Sequence, residues 1–568
     1  MKILGLAGAV FHDAAAALVI DGEVIAAAEE ERFTRDKHAK GQFPFHAAKW
    51  CLEYAGIDPQ TLDAIAFPYA PISITSAARW HYAKRYWYAP DRALDALLHG
   101  NRRFYRNKMR ALQLLKDLGG NPNRTVFIPV EHHLAHASSA YHLSPFDQQE
   151  KVAILSIDGK GEYATTFFGY SENGKIIKLK EFYDPDSLGG LYSAITEYLG
   201  FEMLDGEFKV MGMAPYGDPN KYDLTRLLEC RHGQLKVNTK LVNTVGLRRY
   251  KERGKGYYFS PALIAWLGKR REGDEIDEPY IHYAASVQKL LETTVLELVE
   301  YYLGDIIRET GKLCFAGGVA LNVKLNQRLL ELPDLQQLFV PPAANDAGTA
   351  LGAATYAAYQ AGDTVKPLQH AYLGPEFSNE DCIAACESHP QRPIWQQCRN
   401  SITSAVDILT AGNPLAWFQG RMEFGPRALG GRSILGDPSQ IGIADKINLQ
   451  IKYREKWRPF CPSMLDSIAP DILQSQHPAP YMTITFPVTQ AWKTQIPEVV
   501  YADGTARAQV VTAATNPQYY ALLQAMEAKT GQGVLLNTSL NRRGEPMVCS
   551  PTDALNMFYS CDLQYLLM

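Results

Sequence analysis

Two histidines spaced four residues apart are the side chains of this sequence best suited to chemistry. His132 and His136 follow a short apolar run, 125–130, which predicts a buried strand, and they begin a stretch with a helical period. Side chains at positions i and i+4 lie on one face of a helix, so the two imidazoles can converge on one ion while His133 points elsewhere. Because such a pair is more often an ordinary core or surface feature, a metal site requires further ligands.

Two aspartates in loops supply those ligands. Asp158 ends the apolar run 152–157 and opens a glycine-rich loop, and Asp346 lies in a loop that leads into a helix of small residues. Two imidazoles with carboxylates suit a non-haem Fe(II) or another divalent ion better than a Cys-rich structural zinc site. We therefore predict that His132, His136, Asp158 and Asp346 hold a divalent ion.

The bulk composition limits the classes of protein that fit. At 568 residues the chain is too long for one core, so two or more domains are expected. A formal net charge of −4 argues against binding to nucleic acid or to an anionic membrane that is driven mainly by electrostatic attraction. The sequence predicts neither a transmembrane helix nor a signal peptide, and its nine scattered cysteines are expected to be free thiols in a reducing cytoplasm.

The first half of the chain repeats one pattern of strands and loops. A strand, a loop, a second strand, a tight turn and a third strand occur twice, with the turns at Asp21-Gly22 and Asn173-Gly174. The predicted strands are 2–6, 15–20 and 23–28 in the first copy and 152–157, 163–170 and 175–182 in the second. The repeat predicts an internal duplication whose two loops face one another across a cleft.

A third loop, 314–322, runs from a predicted strand through two glycines into a helix. Such a turn lets backbone N–H groups approach a phosphate or a nucleotide. Two phosphate-type loops and an adenosine-type loop in this order resemble the actin/Hsp70/sugar-kinase superfamily, which has an α/β fold. The resemblance implies a nucleotide site, for which the candidates are Lys160, Gly161, Gly317, Gly318 and Asn322.

The second half of the chain, beyond a predicted linker at 361–367, places many basic residues next to Gly or Pro. Such positions are typical of turns rather than of a solvated helix face, and planar guanidinium groups suit phosphate and carbonyl oxygens. We interpret Arg427, Lys452, Arg458 and Arg507 as phosphate-binding residues, with Arg543 as a further candidate. Asn537 and Asn541 are predicted to flank a turn after a strand at 533–536 and to orient an amide-like group.

Seven short motifs resemble those of the ATP-dependent O-carbamoyltransferases of antibiotic and nodulation-factor biosynthesis. They are found at 11–15, 29–33, 132–136, 209–217, 345–348, 420–430 and 537–541, so the resemblance runs nearly end to end. It implies a duplicated actin/Hsp70-like domain at 1–365, similar to the tRNA threonylcarbamoyl-transfer enzyme. It also implies a second α/β domain at 366–568, similar to YrdC-type domains.

The resemblance further implies a reaction in two parts. The second domain is expected to convert carbamoyl phosphate and Mg-ATP into carbamoyl-adenylate and pyrophosphate. The residues expected to bind these substrates are Arg427, Lys452, Arg458, Arg507, Asn537 and Arg543. The first domain is expected to pass the carbamoyl group to a hydroxyl of a small natural product. His12, beside Asp13, is the candidate general base, and Lys37 and His38 are candidates for the acceptor mouth. The loop between Leu6 and His12 is short, whereas some relatives have extra residues there, including an acidic one. The resemblance therefore gives less support to an amino-sugar acceptor held by such an acid.

The stretch 68–120 interrupts the repeat with basic residues and interleaved aromatic residues. It could be an RNA-binding arm, a pair of amphipathic helices packed on the sheet, or an insertion that shapes the acceptor pocket or a homodimer contact. The acidic balance of the whole chain favours the helices.

Three rival functions remain at the sequence level: a carbamoyl-type transferase acting on tRNA or protein, a kinase of the actin-like superfamily, and an Hsp70-like binding protein. The last leaves the histidine pair and the Arg427 region unexplained.

Overall fold

A computed structural model gives the structure of the chain and describes residues 1–8, 12–242, 258–273 and 275–568. Residues 9–11 of the loop before His12, including Phe11 of the first family motif, lie outside the described residues. The strands of the first half are β1 Lys2–Leu6, β2 Ala15–Ile20, β3 Glu23–Glu29, β4 Ala64–Phe67, β5 Val126–Pro129, β6 Val152–Ile157, β7 Ala164–Glu172, β8 Lys175–Tyr183, β9 Leu228–Arg231, β10 Gln234–Val237, β11 Lys312–Ala316 and β12 Gln337–Phe339. The helices of that half are α1 Glu31–Thr34, α2 Phe45–Tyr54, α3 Ala77–Arg85, α4 Pro90–His99, α5 Arg102–Asp117, α6 His132–Tyr141, α7 Leu188–Tyr198, α8 Glu207–Met213, α9 Pro261–Leu267, α10 Tyr280–Thr310, α11 Val323–Leu330 and α12 Gly348–Gln360.

The second half continues with a further set of strands and helices. Its strands are β13 Leu415–Phe418, β14 Arg432–Gly436, β15 Cys461–Leu465, β16 Phe486–Pro487, β17 Thr505–Ala506, β18 Gln509–Val511, β19 Val534–Ser539 and β20 Leu566–Leu567. Its helices are α13 Asn379–Ser388, α14 Ser401–Thr410, α15 Ile443–Lys446, α16 Ala469–Ile472, α17 Gln490–Lys493, α18 Pro517–Thr530 and α19 Pro551–Phe558, and Ile447–Lys452 forms a π-helical turn.

Two five-stranded sheets with the same topology confirm the predicted duplication. Their strand orders are β3-β2-β1-β4-β5 and β8-β7-β6-β11-β12, and each contains an antiparallel three-stranded meander followed by two parallel additions. The predicted turns hold, because Asp21-Gly22 and Asn173-Gly174 all have positive φ angles, as hairpin turns of this length require. The α/β fold of the actin/Hsp70 type is therefore confirmed for the first half.

Two helices of small residues, α6 and α12, pack together between these sheets. The backbones approach closely where a side chain would not fit: a Cβ at Gly5 of β1 would lie 2.0 Å from Ala350 O, and one at Gly352 would lie 1.8 Å from Ala135 O. Alanines of α12 fill the core against β1 and β2. This close packing brings the start of α6 next to the loop that precedes α12.

The second half is built on a six-stranded sheet of order β18-β15-β19-β14-β13-β20. It is joined to the first half through buried polar contacts: Arg32 pairs with Glu29 at 3.1 Å and donates to Gly425 O at 3.1 Å. The boundary at 365/366 and the likeness to YrdC-type domains stay predictions.

Two sequence-based expectations about strands are wrong. The run 125–130 is not a buried strand, because β5 is the edge of its sheet and Val126 is 56% exposed. The strand predicted to end at 536 continues to Ser539, so Asn537 lies within β19 opposite Leu435 and Cys461 rather than in a turn. In both cases apolar residues alone were a poor guide to where strand pairing begins and ends.

The stretch 68–120 forms three helices, α3 to α5, rather than a pair. Phe104 and Leu115 of α5 pack against the first sheet, while Tyr82 of α3 and Ala96 of α4 share a separate small core. The amphipathic-helix interpretation fits this arrangement better than an extended arm does. Among the described residues, every helix is too short or too polar to span a bilayer.

Candidate active site

Four side chains that commonly bind metals meet at one point. His132 and His136 lie on α6, Asp158 follows β6, and Asp346 precedes α12. The two Nε2 atoms are 3.2 Å apart, and each lies 3.4 Å from Asp346 Oδ1. Asp158 Oδ2 lies 3.5 Å from His132 Nε2. The structure thus brings the predicted ligand set together, with all four ligand atoms within 4.8 Å of one another.

The geometry and burial of this cluster fit a small divalent cation. First-row metals bind N and O ligands at about 2.0–2.2 Å, so adjacent ligand atoms are expected roughly 3.0–3.5 Å apart. All four residues are buried, and Asp346 Oδ2 has no hydrogen-bond partner among the described residues. A buried carboxylate oxygen without a partner is costly unless a cation satisfies it. The donor set therefore suits a resident divalent ion.

Electrostatics within the cluster separate the three histidines of α6. Burial lowers the pKa of His132, but Asp346 and Asp158 raise it more, so it lies well above its usual value. Burial and then the charges of His132 and His136 lower the pKa of His133 to about 3, and its Nδ1 lies 2.9 Å from Ser156 Oγ. His133 is therefore a neutral core residue that faces away from the cluster, as predicted from the helix period.

The residues predicted to bind the nucleotide make different kinds of contact within the protein. Lys160 pairs with Asp184, and the Gly318 N–H donates to Asp158 Oδ1 at 2.8 Å. A Cβ at Gly161 would meet the His132 side chain at 2.8 Å, and one at Gly317 would meet the Ile157 carbonyl oxygen at 2.2 Å. The absence of a side chain at these two glycines thus serves packing around the metal cluster.

Asn322 caps helix α11 by accepting from Leu325 N at 3.0 Å. Lys160, Gly318 and Asn322 line the main cavity, whereas Gly161 and Gly317 do not. The nucleotide-binding role of all five residues stays a prediction.

A network of histidines and aspartates lies beside the cluster. Asp13 Oδ2 is 3.3 Å from His12 Nδ1 and accepts from Asn345 Nδ2 at 3.1 Å, while Asp13 Oδ1 is 2.7 Å from His38 Nδ1. The other ring nitrogen of His38 lies 3.1 Å from Asp205 Oδ1. Asp205, which the sequence alone did not single out, fixes the orientation of His38.

These carboxylates hold protons on the neighbouring imidazoles. Burial lowers the pKa of His12, but Asp13, Asp346 and Asp158 raise it more, to about 9. Burial likewise lowers the pKa of His38, while Asp13 and Asp205 raise it to about 10. Lys37 also pairs with Asp205, so the two residues predicted for the acceptor mouth share one carboxylate.

One cavity of about 1170 Å³ joins this network to the arginine-rich half. It extends from His12 and Asp346 at one end to Arg427 and Arg507 at the other, and Lys37 and His38 also line it. The three insertion helices reach the same cavity through Tyr82 of α3, Arg92 of α4 and Arg103 of α5. The cavity therefore connects both predicted binding regions.

The predicted phosphate-binding residues all line the arginine-rich end, together with Asn537. The Arg427 guanidinium has no hydrogen-bond or ion-pair partner within the described ranges, and burial followed by the charge of Arg507 lowers its pKa to about 9. Arg507 Nε donates to Cys461 Sγ at 3.0 Å, which leaves its terminal nitrogens for other partners. Two half-buried guanidinium groups in the wall of one cavity favour the binding of an anion.

Glu455 organises a second pair of arginines. Its carboxylate lies 3.7 Å from Arg458 Nη1 and 3.4 Å from Arg543 Nη2, and it accepts from Lys209 Nζ at 3.1 Å. Lys209 lies on α8, in one of the family motifs, so this carboxylate links the two halves of the chain. The sequence did not reveal this role, because Glu455 is surrounded by basic residues and nothing in the local sequence indicates which of them it pairs with.

The expected metal content provides a direct test of the histidine pair. Replacing His136 with alanine removes one of two nitrogen ligands, and the purified protein is expected to lose its bound divalent ion almost completely. Metal per chain would be measured by inductively coupled plasma mass spectrometry. His133→Asn is the control, since this buried neighbour on the same helix faces away and its variant should retain the metal. Unchanged metal content in His136→Ala would refute the assignment.

Comparison with known proteins identifies the family. Residues 2–355 match the family model described as Carbamoyltransferase N-terminus, and residues 406–568 match that described as Carbamoyltransferase C-terminus. Uncharacterized protein sll1178 of Synechocystis sp. is 36% identical over 604 residues, which covers 100% of this chain and 95% of the relative. Nodulation protein NolNO of Sinorhizobium fredii is 36% identical over 580 residues, which covers 100% and 79% respectively.

A solved structure of T. kodakarensis HypF is 14% identical and covers 64% of this chain and 49% of that chain with a TM-score of 0.31, a likeness too low to support an argument. The two family models and the relatives confirm the resemblance seen in the motifs. The chain therefore belongs to the carbamoyltransferase family and is a transferase enzyme of the O-carbamoyltransferase type.

Proposed function

We propose that this enzyme uses carbamoyl phosphate and ATP to form carbamoyl-adenylate and then carbamoylates a hydroxyl of a small natural product. The observation that carries the proposal is the single cavity that extends from the arginine cluster to the carboxylates of the metal cluster. An activated carbamoyl group formed beside the arginine cluster would have a path within this one cavity to the metal cluster. Carbamates decompose in water, so a short path between the two regions has a chemical purpose.

The first step takes place at the arginine-rich end. Water releases inorganic phosphate from carbamoyl phosphate, and an oxygen of the resulting carbamate attacks the α-phosphorus of Mg-ATP and displaces pyrophosphate. Arg427, Lys452, Arg458, Arg507 and Arg543 would offset the charge of both phosphate substrates, and Asn537 would orient the carbamoyl group. The unpartnered guanidinium of Arg427 supports this role, because a phosphate would supply its missing acceptor.

The second step takes place near the metal cluster. The acceptor oxygen attacks the carbamoyl carbon, AMP leaves, and the acceptor proton passes to Nε2 of His12, whose Nδ1 faces Asp13. Lys37 and His38 would line the acceptor mouth, and Lys160, Gly318 and Asn322 would contact the nucleotide. A divalent ion, for which we propose Fe(II), would be held by the four-residue cluster and would polarise a phosphate or carbamoyl oxygen when bound.

Product analysis tests this function against its rivals. The enzyme would be incubated with ATP, carbamoyl phosphate and candidate hydroxyl compounds, and mass spectrometry would detect the addition of one carbamoyl group. We expect AMP and pyrophosphate in equal amounts, and only when carbamoyl phosphate is present. Release of ADP would identify a kinase and refute the proposal, and carbamoylation of tRNA or protein in place of small molecules would refute the proposed acceptor class.

A further inference from the structure

The three insertion helices expose a large apolar surface that the proposed reaction does not use. In the described part of the chain, 22 large hydrophobic side chains are exposed, and seven of them lie between residues 80 and 109. The most exposed of the seven are Trp87 at 77%, Met109 at 66% and Leu98 at 64%. Single exposed apolar residues are normal on a protein surface, but a cluster of them marks an interaction site.

Helix periodicity explains why these side chains remain outside. On α4, Leu94 and Leu98 are four residues apart and share one face, and Tyr105 and Met109 do the same on α5. The other sides of these helices are already occupied, because Ala96 of α4 packs in a small core with α3, and α5 packs against the first sheet. We define the outer insertion face by its six most exposed apolar residues: Trp80, Trp87, Leu94, Leu98, Tyr105 and Met109.

Polar contacts hold this face in place. The buried Arg79 of α3 donates from Nη1 to Leu97 O of α4 at 3.0 Å and from Nη2 to Ile72 O at 2.6 Å. On the outside, Arg102 Nη1 of α5 lies 3.7 Å from Asp95 Oδ1 of α4, so the exposed sides of these two helices adjoin. The apolar residues therefore belong to one fixed surface.

The insertion is strongly basic within an acidic protein. Residues 77–117, which span α3 to α5, contain ten Lys or Arg residues and three Asp residues, whereas the whole chain has a formal net charge of −4. Two exposed cations lie on the outer face itself: Lys84 is four residues from Trp80 on α3, and Arg102 is three residues from Tyr105 on α5. The local charge therefore favours an anionic partner, although the charge of the whole chain does not.

An anionic membrane surface fits this combination better than a second copy of the chain or a nucleic acid. A second copy would bring two basic faces together. A nucleic acid stacks its bases on aromatic rings and would leave Leu94, Leu98 and Met109 without a partner. Interfacial helices, in contrast, bury Trp, Tyr and Leu side chains among the lipid headgroups and contact anionic lipids with Lys and Arg.

We propose that the outer insertion face docks this enzyme on an anionic lipid bilayer. Its apolar side chains would enter the headgroup region, and Lys84 and Arg102 would contact lipid phosphates. Tyr82 of α3 and Arg92 of α4 line the main cavity, so docking would hold one wall of that cavity beside the bilayer. The proposal goes beyond the proposed function and does not depend on it, because docking requires neither carbamoyl phosphate nor ATP.

Co-sedimentation of the full-length enzyme with lipid vesicles tests the proposal. Vesicles that contain about 30% phosphatidylglycerol in phosphatidylcholine should bind the enzyme roughly 10- to 100-fold more tightly than vesicles of phosphatidylcholine alone, because basic residues near the surface are attracted to anionic lipids. Failure to bind the anionic vesicles, or equal binding to both kinds, would overturn the proposal.

Tyr105→Ser and Tyr301→Ser form a matched pair of variants. Both tyrosines are exposed on helices, at 61% and 59%, and each contacts the aromatic neighbour next to it, but Tyr301 lies on α10, outside the insertion. Tyr105→Ser should weaken binding to the anionic vesicles about 3- to 10-fold through lost apolar burial, and Tyr301→Ser should change it by less than about twofold. Equal effects of the two substitutions would overturn the proposal.

A double variant, Leu94→Ser with Leu98→Ser, removes a larger part of the face. It should weaken vesicle binding roughly 10- to 100-fold. Thermal unfolding and carbamoyl transfer in solution should match the wild type, since neither leucine is among the residues that line the main cavity. Undiminished vesicle binding by the double variant would overturn the proposal.

Two further measurements examine the other occupants. Sedimentation velocity would detect a dimer, and a filter-binding assay would detect bound tRNA. We expect neither to depend on the outer insertion face. A dimer or a tRNA complex that is lost in Tyr105→Ser, with no binding of the wild type to anionic vesicles, would overturn the proposal. The carbamoyl-transfer assay judges the proposed function separately from all of these results.

Discussion

Arg458→Met is expected to reduce carbamoyl-phosphate-dependent pyrophosphate release about 10²- to 10³-fold, as does the loss of a charge-stabilising donor in other active sites. The guanidinium of Arg458 lies against the Phe208 ring at 4.7 Å, and burial lowers its pKa to about 10. Methionine retains the apolar contact with that ring but removes the charge and the N–H donors. The measurement is pyrophosphate release at saturating ATP over a range of carbamoyl phosphate concentrations.

Two further variants make this result interpretable. Arg458→Lys keeps the charge without the planar fork, so its activity should lie between those of the wild type and Arg458→Met. Arg542→Met is the matched control: Arg542 lines the same cavity but pairs with Glu545 at 2.6 Å, and its loss should change activity by no more than about twofold. Undiminished pyrophosphate release by Arg458→Met would exclude Arg458 from the first step.

The sequence was informative wherever a regular element determined the spacing. The helix period of α6 placed His132 and His136 on one face, and the repeated strand pattern predicted two sheets of equal topology. Asp158 was identifiable because it follows a strand of the repeat. In these cases a local rule, the period of a helix or of a hairpin, was sufficient to predict which side chains share a face.

Contacts between distant segments could not be predicted in this way. The contact between Lys452 and Asn541 joins residues 89 positions apart, and nothing in either local sequence indicates it. Likewise, Arg454 and Lys456 look equivalent in a basic stretch, yet one has a buried guanidinium nitrogen and the other is exposed. Their difference arises from the π-helical turn that precedes them, and this kind of irregularity has no simple sequence period.

Strand ends show a related limit. The apolar run before Asn537 ends at Leu536, but hydrogen bonding with β14 and β15 continues into polar residues because these face the cavity. A strand that supplies a binding site must contain polar side chains, so hydrophobicity underestimates its length. For β5 hydrophobicity was misleading in the opposite sense: its apolar residues predicted a buried strand, but the strand lies at the edge of its sheet.

His12→Asn is expected to separate the two steps of the reaction. Asparagine can still donate to Asp13 but cannot take a proton from the acceptor hydroxyl, so carbamoyl transfer should fall about 10²- to 10⁴-fold. Pyrophosphate release should stay near the wild-type rate, because His12 lies at the metal-cluster end of the cavity, away from Arg427 and Arg507. Both quantities would be measured in the same reaction, by mass spectrometry of the product and by pyrophosphate assay.

The raised pKa of His12 bears on this role. A proton acceptor must be neutral, and Asp346 and Asp158 are among the groups that raise its pKa to about 9. Because those two carboxylates belong to the predicted metal cluster, a bound divalent cation would offset their charge and favour the neutral imidazole. The metal cluster and the base would therefore act together without direct contact.

His99→Asn is a closely matched control for this experiment. His99 lies 3.3 Å from Asp95, the same separation as between His12 and Asp13, but it is exposed on α4 and does not line the cavity. Its substitution should leave both steps unchanged. Simultaneous loss of pyrophosphate release and product formation in His12→Asn would show that the steps are not divided between the two ends of the cavity. Full product formation would show that another group accepts the proton.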